Sequence, residues 1–299
     1  MSNPTSAAER PAGNTKPKVA ERPRWRKNLV RLALFVGSLY LSIVILMSMQ
    51  LDSLIFFPSR YPEGDWQPRG LRFEDARFAA GDGTRLHGWY LPADNPRAVV
   101  LFAHGNGGNL SDRADIGHLL SQRLGASVLL FDYRGYGRSE GSPTIPGVLD
   151  DARAARRWLA ERAGVSETQI VLMGESLGGG VMVQLAAHDG ARALILENTF
   201  SSLADVGAVH YPWLPVRFVL GDKLDSTAVI ARYHGPLLQI HGDADQIIPM
   251  ALGRKLFDAA NEPKRWVTIS DADHNDPRSQ QAAQALDDFL GSLPADNAR

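Results

Sequence analysis

The chain has 299 residues, with 32 Lys or Arg, 33 Asp or Glu and a formal net charge of −1 at pH 7. It contains no cysteine, which excludes disulfide bridges and thiolate metal sites. The near-zero net charge hides an uneven distribution, because residues 1–31 carry eight basic and two acidic side chains.

The N-terminal region is predicted to be a basic tail followed by a membrane anchor. Residues 1–28 form the tail, of which residues 1–23 lack an apolar period and are expected to be disordered. The 20 residues from Leu32 to Leu51 carry no charge, and a helix of about 20 residues spans a bilayer core of about 30 Å. We assign residues 29–51 as a transmembrane signal anchor with a cytoplasmic N-terminus, because its basic flank follows the positive-inside rule.

A cleaved signal peptide is the alternative interpretation of this segment. Its apolar core would be about 7 to 15 residues long and a small-x-small cleavage site would follow, and this sequence has neither feature. An anchor of this orientation predicts an extracytoplasmic domain, which is periplasmic in a bacterium. Residues 52–70 are expected to be a linker, in which the apolar run 54–58 lies at the membrane interface or docks on the domain.

Residues 71–299 are predicted to form one domain, since strand-like and helix-like patterns alternate as in an α/β fold with a mostly parallel sheet. A loop-like insertion, residues 201–233, follows the sixth strand, and its apolar residues form either an acyl-binding wall or packing against the sheet. The strands are predicted near residues 71–79, 85–91, 98–103, 126–132, 169–174, 192–197, 236–241 and 265–269, and the helices over 116–123, 148–162, 181–188, 251–260 and 280–290.

The sequence Gly174-Glu175-Ser176-Leu177-Gly178 has the pattern of a nucleophile elbow. A serine at a sharp strand-to-helix turn has strained backbone angles, and its neighbours two residues away must lack bulk so that strand and helix can pass closely. The segment follows a predicted buried strand and precedes a predicted helix, as an elbow requires. A helix-capping serine is the alternative.

A nucleophilic serine needs a base and an acid that orients this base. The predicted strand 236–241 runs into Asp243 and Asp245, and Glu197 follows the preceding strand, so three acids are candidates. His274 lies in a loop after the last strand. The order of Ser176, Asp245 and His274 along the chain is that of α/β-hydrolases and differs from the orders of chymotrypsin and subtilisin.

Two backbone amides are candidate donors to the oxyanion that develops during acyl transfer. One belongs to Leu177, which follows the serine, and the other to Asn106, in the glycine-rich segment 104–109 after the third strand. Because backbone groups would donate, the side chains at these two positions are expected to matter little.

The other histidines and the acidic residues near His274 are given structural roles. His241 and His234 are expected to pack or to form hydrogen bonds, and His104 to brace the segment 104–109. The acidic side chains around His274 lack the spacing of a calcium loop, so a solvated loop is predicted. No cofactor, metal ion or nucleic-acid partner is expected.

Four motifs together resemble the α/β-hydrolase superfamily over roughly residues 70–292. They are the segment 104–109, the run Phe131–Ser139, the elbow and the His-Gly-x-x-Asp segment that ends at Asp245. Within the superfamily the chain is similar to membrane-anchored α/β-hydrolase-domain serine hydrolases, a group that includes protein depalmitoylases and many bacterial members. The resemblance implies an eight-stranded sheet with a short cap, and it selects Asp245 among the candidate acids.

The predicted function is that of a membrane-anchored serine hydrolase that cleaves carboxylic ester or thioester bonds of small-molecule or lipid substrates. Ser176 attacks the carbonyl, His274 takes the serine proton and Asp245 stabilises the imidazolium. Two alternatives are a catalytically idle hydrolase fold that serves as a membrane interaction module, and a serine peptidase. The presence of all three candidate side chains argues against an idle fold.

Overall fold

The computed structural model describes residues 24–294, so the tail predicted to be disordered, residues 1–23, lies outside the described residues. The described residues divide into two units, 24–45 and 46–294. The first element, α1 (Arg24–Met49), is a helix that contains an apolar stretch of 18 residues with a mean hydropathy of 2.3. At 1.5 Å per residue it is about 39 Å long. Its length and composition suit both a membrane anchor and a signal sequence.

The second unit alternates strands and helices. It also contains two short 3-10 helices, Leu110–Arg113 and Glu167–Gln169, and one π-helical turn, Leu119–Arg123. After α1 the elements are α2 (Leu51–Ile55), β1 (Phe57–Pro58), β2 (Glu74–Ala79), β3 (Arg85–Leu91), β4 (Val99–Ala103), β5 (Gly107–Gly108), α3 (Ala114–His118), β6 (Ser127–Asp132), α4 (Ile145–Ala163), β7 (Val171–Glu175), α5 (Leu177–Asp189), β8 (Ala193–Glu197), α6 (Leu203–His210), α7 (Val216–Leu220), α8 (Ser226–Ile230), β9 (Leu237–Gly242), α9 (Met250–Ala259), β10 (Lys264–Ile269) and α10 (Gln280–Ser292).

The main sheet has eight strands in the order β10-β9-β8-β7-β4-β6-β3-β2. The pairs β2–β3 and β3–β6 are antiparallel, and all other neighbours in this sheet are parallel. The predicted α/β-hydrolase fold with an eight-stranded, mostly parallel sheet is therefore confirmed. Because the carboxyl ends of parallel strands meet at one edge, the turns after β4, β7, β8, β9 and β10 lie close together.

Helices cover both faces of the sheet, and β4 shows how its sequence follows from this. Alternate side chains belong to different clusters: Leu101 and Ala103 pack on one side, and Val100 and Phe102 on the other. A strand buried on both faces has a continuous apolar run instead of an alternating one. This explains why the unbroken sequence from Ala98 to Ala103 predicted the strand correctly.

The insertion 201–233 is helical, which differs from the loop-like segment expected from the sequence. Side-chain caps begin two of its three helices: Ser202 accepts a hydrogen bond from the Asp205 N–H, and Asp225 accepts one from the Ala228 N–H. The helices are only five to eight residues long, too short for a 3.6-residue period to be read. Helix α7 buries Val216 and Leu220 against α6 and α2.

Residues 52–70, expected to be a linker, are packed into the second unit. The side chain of Phe56 is 3% exposed and belongs to the main core, and Trp66 is buried on the opposite face of the sheet. Strand β1 pairs in parallel with β5, so the main chain of this stretch is hydrogen-bonded as well. Apolar side chains that fit the core make this stretch part of the fold.

Substitution of Gly178 by alanine is expected to destabilise the protein. A Cβ at Gly178 would lie 2.1 Å from the carbonyl oxygen of Ala103, so strand β4 or helix α5 must shift. Overpacking of this kind costs about 3 kcal/mol, which thermal unfolding should detect. The matched control is Gly81→Ala, since a Cβ there meets nothing within 4 Å. Equal melting temperatures for the two variants would contradict this packing.

Candidate active site

Ser176 occupies the sharp turn between β7 and α5, with φ 52° and ψ −120°. Positive φ is uncommon for a residue other than glycine and persists only when surrounding contacts enforce it. Three hydrogen bonds do so here. The Ser176 N–H donates to the Glu197 carbonyl at 2.9 Å, and the Ser176 carbonyl accepts from the Gly179 N–H at 3.1 Å and the Thr199 hydroxyl at 2.7 Å. The backbone strain that an elbow predicts is therefore present.

Ser176, His274 and Asp245 form one hydrogen-bonded chain. The His274 Nε2 atom lies 3.0 Å from the Ser176 Oγ, and the His274 Nδ1 lies 2.7 Å from the Asp245 Oδ2. The other carboxylate oxygen, Oδ1, accepts the N–H groups of Ile247 at 3.0 Å and Ile248 at 2.7 Å. The fold thus brings together three side chains that come from the ends of different strands.

Hydrogen bonds keep the buried Asp245 carboxylate ionised. Burial alone would raise its pKa, but hydrogen bonds from His241, His274 and the Ile248 N–H hold the pKa of Asp245 well below its ordinary value. The His241 Nε2 lies 3.4 Å from the Asp245 Oδ2 and 2.9 Å from the Ile248 carbonyl oxygen. His241 and His274 therefore both contact the Oδ2 atom of Asp245.

The rival acids have other partners. Asp243 accepts the Asp271 N–H at 2.7 Å. Glu197 forms an ion pair with Arg278 at 2.7 Å. In this structure Asp245 is the acid that is hydrogen-bonded to His274.

His234 and His104, for which structural roles were expected, form hydrogen-bond contacts outside the Ser176–His274–Asp245 chain. The His234 Nδ1 lies 3.2 Å from the Asn261 side-chain nitrogen. His104 is buried, its Nδ1 lies 2.7 Å from the Gly105 oxygen, and its own carbonyl accepts the Tyr133 hydroxyl at 3.0 Å. Burial lowers the pKa of His104 to about 3, so the ring is neutral at pH 7.

The two predicted oxyanion donors flank Ser176. Leu177 is the first residue of α5, so its N–H belongs to the helix-terminal groups that have no partner within the helix. The Asn106 N–H makes no hydrogen bond to any part of the described range 24–294. Gly105 brings the segment against the serine, since a Cβ there would lie 3.4 Å from the Ser176 Cβ. The Asn106 side chain was expected to matter little. In the structure it donates a hydrogen bond to the Ile55 carbonyl at 2.8 Å.

A cavity of about 1050 Å³ opens beside Ser176 and His274. Its lining comes from the segment 105–108, from α3 and the turns flanking it, from the His274 loop and from α10. None of residues 201–233, all of which the structure describes, lines this cavity. The acyl-binding wall considered for the insertion is therefore not found here. Polar and apolar groups share the lining, including Arg113, Ile116, Leu119, Ile240, Asp276 and Ala283.

Comparison with known proteins places this architecture. The sequence model of the α/β hydrolase fold family matches residues 98–231 of this chain. The uncharacterised protein Rv2307c of Mycobacterium tuberculosis is 43% identical over 247 residues, which cover 82% of this chain and 88% of that protein. The α/β hydrolase domain-containing protein WAV2 of Arabidopsis thaliana is 31% identical over 238 residues, 72% and 77% of the two chains. The chain belongs to the α/β-hydrolase family.

A solved esterase structure has a similar fold. The esterase Pf2001 of Pyrococcus furiosus superposes with a TM-score of 0.65 at 21% identity, and the match covers 80% of this chain and 98% of that one. At this level of identity the likeness concerns the fold.

An ion-pair cluster at the elbow escaped the sequence analysis. Glu175 contacts Arg113 and Arg278 at 2.7 Å each, and Arg278 also contacts Glu197. Burial would raise the pKa of Glu175, but the charges of Arg113 and Arg278 hold it below its ordinary value. The available signal was the position of Glu175 at the end of a buried strand, where a carboxylate requires a counter-charge.

Asn198 is a second residue that the sequence analysis missed. It follows β8 with φ 45° and connects two parts of the site through its side-chain amide. Its Nδ2 donates to the His274 carbonyl at 3.1 Å, and its Oδ1 accepts the Gly242 N–H at 3.1 Å. Asn198 therefore ties the histidine loop to the end of β9. Asparagine tolerates positive φ better than most residues, which was the signal available.

Substitution of Arg278 by methionine is expected to destabilise the protein by about 3 kcal/mol at pH 7, because Glu197 loses the counter-charge of Arg278 and Glu175 keeps only that of Arg113. The effect should depend on pH. Since the folded-state pKa of Glu175 lies below its ordinary value of 4.5, the ion-pair stabilisation is complete above about pH 4.5 and is lost as the pH falls through the folded-state pKa. The difference in unfolding free energy between wild type and variant should therefore shrink in acid.

Denaturant unfolding at pH 7 and pH 4 measures this difference. The control is Arg265→Met, because Arg265 is half exposed and lies 3.6 Å from Asp288 at the surface. Its loss should be within about 0.5 kcal/mol at both pH values. A difference for Arg278→Met that is the same at pH 7 and pH 4 would contradict the assignment of the cluster.

Proposed function

We propose that the protein is a membrane-anchored serine hydrolase of carboxylic esters or thioesters. The observation that carries this proposal is the continuous hydrogen-bonded chain from the Ser176 Oγ through His274 to Asp245, with distances of 3.0 and 2.7 Å. A serine, a base in contact with it and an acid that orients the base are the minimal parts of nucleophilic acyl transfer.

The reaction proceeds in two steps. His274 Nε2 takes the Ser176 proton as the hydroxyl oxygen attacks the carbonyl carbon, and Asp245 stabilises the imidazolium. The tetrahedral intermediate collapses, His274 protonates the leaving group, and an acyl-enzyme remains on Ser176. Water activated by His274 then releases the acid. The N–H groups of Asn106 and Leu177 stabilise the oxyanion, and each such donor contributes about 3 kcal/mol to lowering the barrier.

A structural neighbour and the cavity support the proposed substrate class. The esterase with the same fold supports an ester as the group that is cleaved. A cavity of about 1050 Å³ with polar and apolar walls accommodates a small-molecule or lipid-like ester next to Ser176. The same nucleophile attacks a thioester, because the carbonyl carbon and the oxyanion are common to both substrates.

The apolar helix α1 supports the membrane anchor, with a cytoplasmic N-terminus and an extracytoplasmic hydrolase domain. Residues 1–31 carry an excess of six positive charges, which favours their retention in the cytoplasm. The domain boundaries that we propose are a basic tail over 1–28, an anchor over 29–51 and a hydrolase domain that includes the packed stretch after the anchor.

Loss of Ser176 or Asp245 is expected to abolish most activity without unfolding the chain. Ser176→Ala should lower ester turnover by about 10⁴-fold or more and eliminate labelling by a fluorophosphonate probe. Asp245→Asn should lower kcat by about 10⁴-fold, since the amide favours the wrong tautomer of His274. The matched control is Asp243→Asn, which keeps an acceptor for the Asp271 N–H and should remain active. Wild-type turnover by Ser176→Ala would exclude Ser176 from the reaction.

The topology can be tested with single cysteines, because the chain has none of its own. Asp94 is exposed in the hydrolase domain, so Asp94→Cys should react with a membrane-impermeant maleimide in spheroplasts. Ser2→Cys, in the basic tail, should react only after the membrane is permeabilised. The reverse labelling pattern would contradict the proposed orientation, and recovery of the Asp94→Cys chain in the soluble fraction would indicate a cleaved signal sequence.

A further inference from the structure

The stretch Ile55–Tyr61, which we call the strap, runs alongside the segment that carries Asn106. Phe56 anchors the strap in the main core of the domain, where its side chain is 3% exposed. Strand β1 then pairs in parallel with β5. The Ser59 N–H extends this pairing by donating to the Gly108 carbonyl at 3.0 Å. The strap is therefore hydrogen-bonded along the segment 104–109, which carries the proposed oxyanion donor Asn106.

Asn106 is held by the strap through two of its polar groups. Its side-chain Nδ2 donates to the Ile55 carbonyl at 2.8 Å. Its carbonyl accepts the Phe57 N–H at 2.9 Å and the Tyr136 hydroxyl at 2.6 Å. Two donors fill both lone pairs of this carbonyl, so its direction is fixed. In the described part of the chain the Asn106 N–H stays without a partner, and Asn106 lines the cavity together with Ser176.

The strap is itself fixed from its other side by the turn that carries Tyr136. The Gly137 N–H donates to the Ser59 carbonyl at 2.9 Å, and the Tyr61 N–H donates to the Gly137 carbonyl at 2.9 Å. The Arg60 guanidinium donates to the Gly141 carbonyl at 2.8 Å. Because the strap is hydrogen-bonded on both sides, it restrains the position of Asn106.

We propose that the strap is a positioning element of the oxyanion hole, and that Ile55 and Phe57 act through Asn106 by their main-chain groups. This inference rests on the proposed acyl-transfer function. A backbone donor contributes fully only when it points at the developing oxyanion, and a misplacement of about 1 Å can reduce the rate about 10²-fold. The residues directly after the apolar helix are thus required for the rate of the reaction as well as for attachment.

Phe57→Pro tests this role because it removes the N–H that binds the Asn106 carbonyl. Phe56 has φ −105° and ψ 129°, the extended conformation that a residue before proline adopts. The matched control is Phe57→Ala, which loses the same half-exposed phenyl ring but keeps the N–H. Both variants are compared as full-length chains in detergent, together with wild type and Ser176→Ala, on a p-nitrophenyl butyrate substrate.

The expected result is a kcat for Phe57→Pro that is about 10- to 100-fold below that of Phe57→Ala. The KM should be unchanged, and the melting temperature should fall only as far as the loss of one backbone hydrogen bond requires. An alkyl boronic acid, whose adduct with Ser176 places an oxygen in the oxyanion hole, should bind Phe57→Pro more weakly by a similar factor. A purely structural role would lower the melting temperature and leave the ratio of boronic acid affinity to substrate affinity unchanged.

Equal kcat values for Phe57→Pro and Phe57→Ala in an active enzyme would overturn the inference alone. A wild-type chain that turns over no more ester than Ser176→Ala would overturn the proposed function and the inference with it. Should Phe57→Pro fail to fold, Asn106→Ala decides: it removes the bond to the Ile55 carbonyl and keeps the Asn106 N–H. Its kcat should fall about 10-fold at constant melting temperature, and an unchanged kcat would overturn the inference.

Discussion

The close approach of helix α5 to the end of strand β4 is the contact on which the rest of the site depends. A Cβ at Gly178 would lie 2.1 Å from the Ala103 carbonyl oxygen, and a Cβ at Gly174 would lie 2.3 Å from the Gly178 oxygen. Only residues without a side chain fit there. This approach lets the chain turn within one residue, Ser176, and places Gly105 against that serine. The candidate nucleophile and the loop with the Asn106 amide are therefore brought together by backbone packing.

Parallel strands supply the other groups, because their carboxyl ends share one edge of the sheet. Two of these ends, at β7 and β8, carry the glutamates Glu175 and Glu197. Arg278 pairs with both, and Arg113 also pairs with Glu175. Asp245, at the turn after β9, remains as the carboxylate that is hydrogen-bonded to His274. Because the two glutamates are paired with arginine, Asp245 is the carboxylate of this edge that remains for the histidine.

The sequence predicted those features that depend on residues close together in the chain. The eight strands were recognised from short apolar runs, and Ser176 was recognised because its glycines lie two residues away. Contacts between distant residues had no such signal. Arg278 meets Glu175 across 103 positions, and the strap meets Asn106 across about 50, so neither pairing could be read before the fold was known. The helices of the insertion were missed because they are shorter than two or three turns.

The strap changes how the N-terminal region is understood. The sequence alone suggested a helix that attaches the domain to a membrane and a linker whose apolar run 54–58 lies at the membrane interface or docks on the domain. The packed stretch after the helix instead contacts the backbone that the proposed reaction uses. The proposed anchor and the proposed positioning element are thus near neighbours in the sequence.

The most direct test is a crystal structure of the full-length chain after reaction with a fluorophosphonate. We expect phosphorus bonded to the Ser176 Oγ, with one phosphoryl oxygen about 3 Å from both the Asn106 and the Leu177 backbone nitrogens. The His274 ring should remain bonded to Asp245. A phosphoryl oxygen that points away from both amides, or phosphorus on a different residue, would contradict the proposed site.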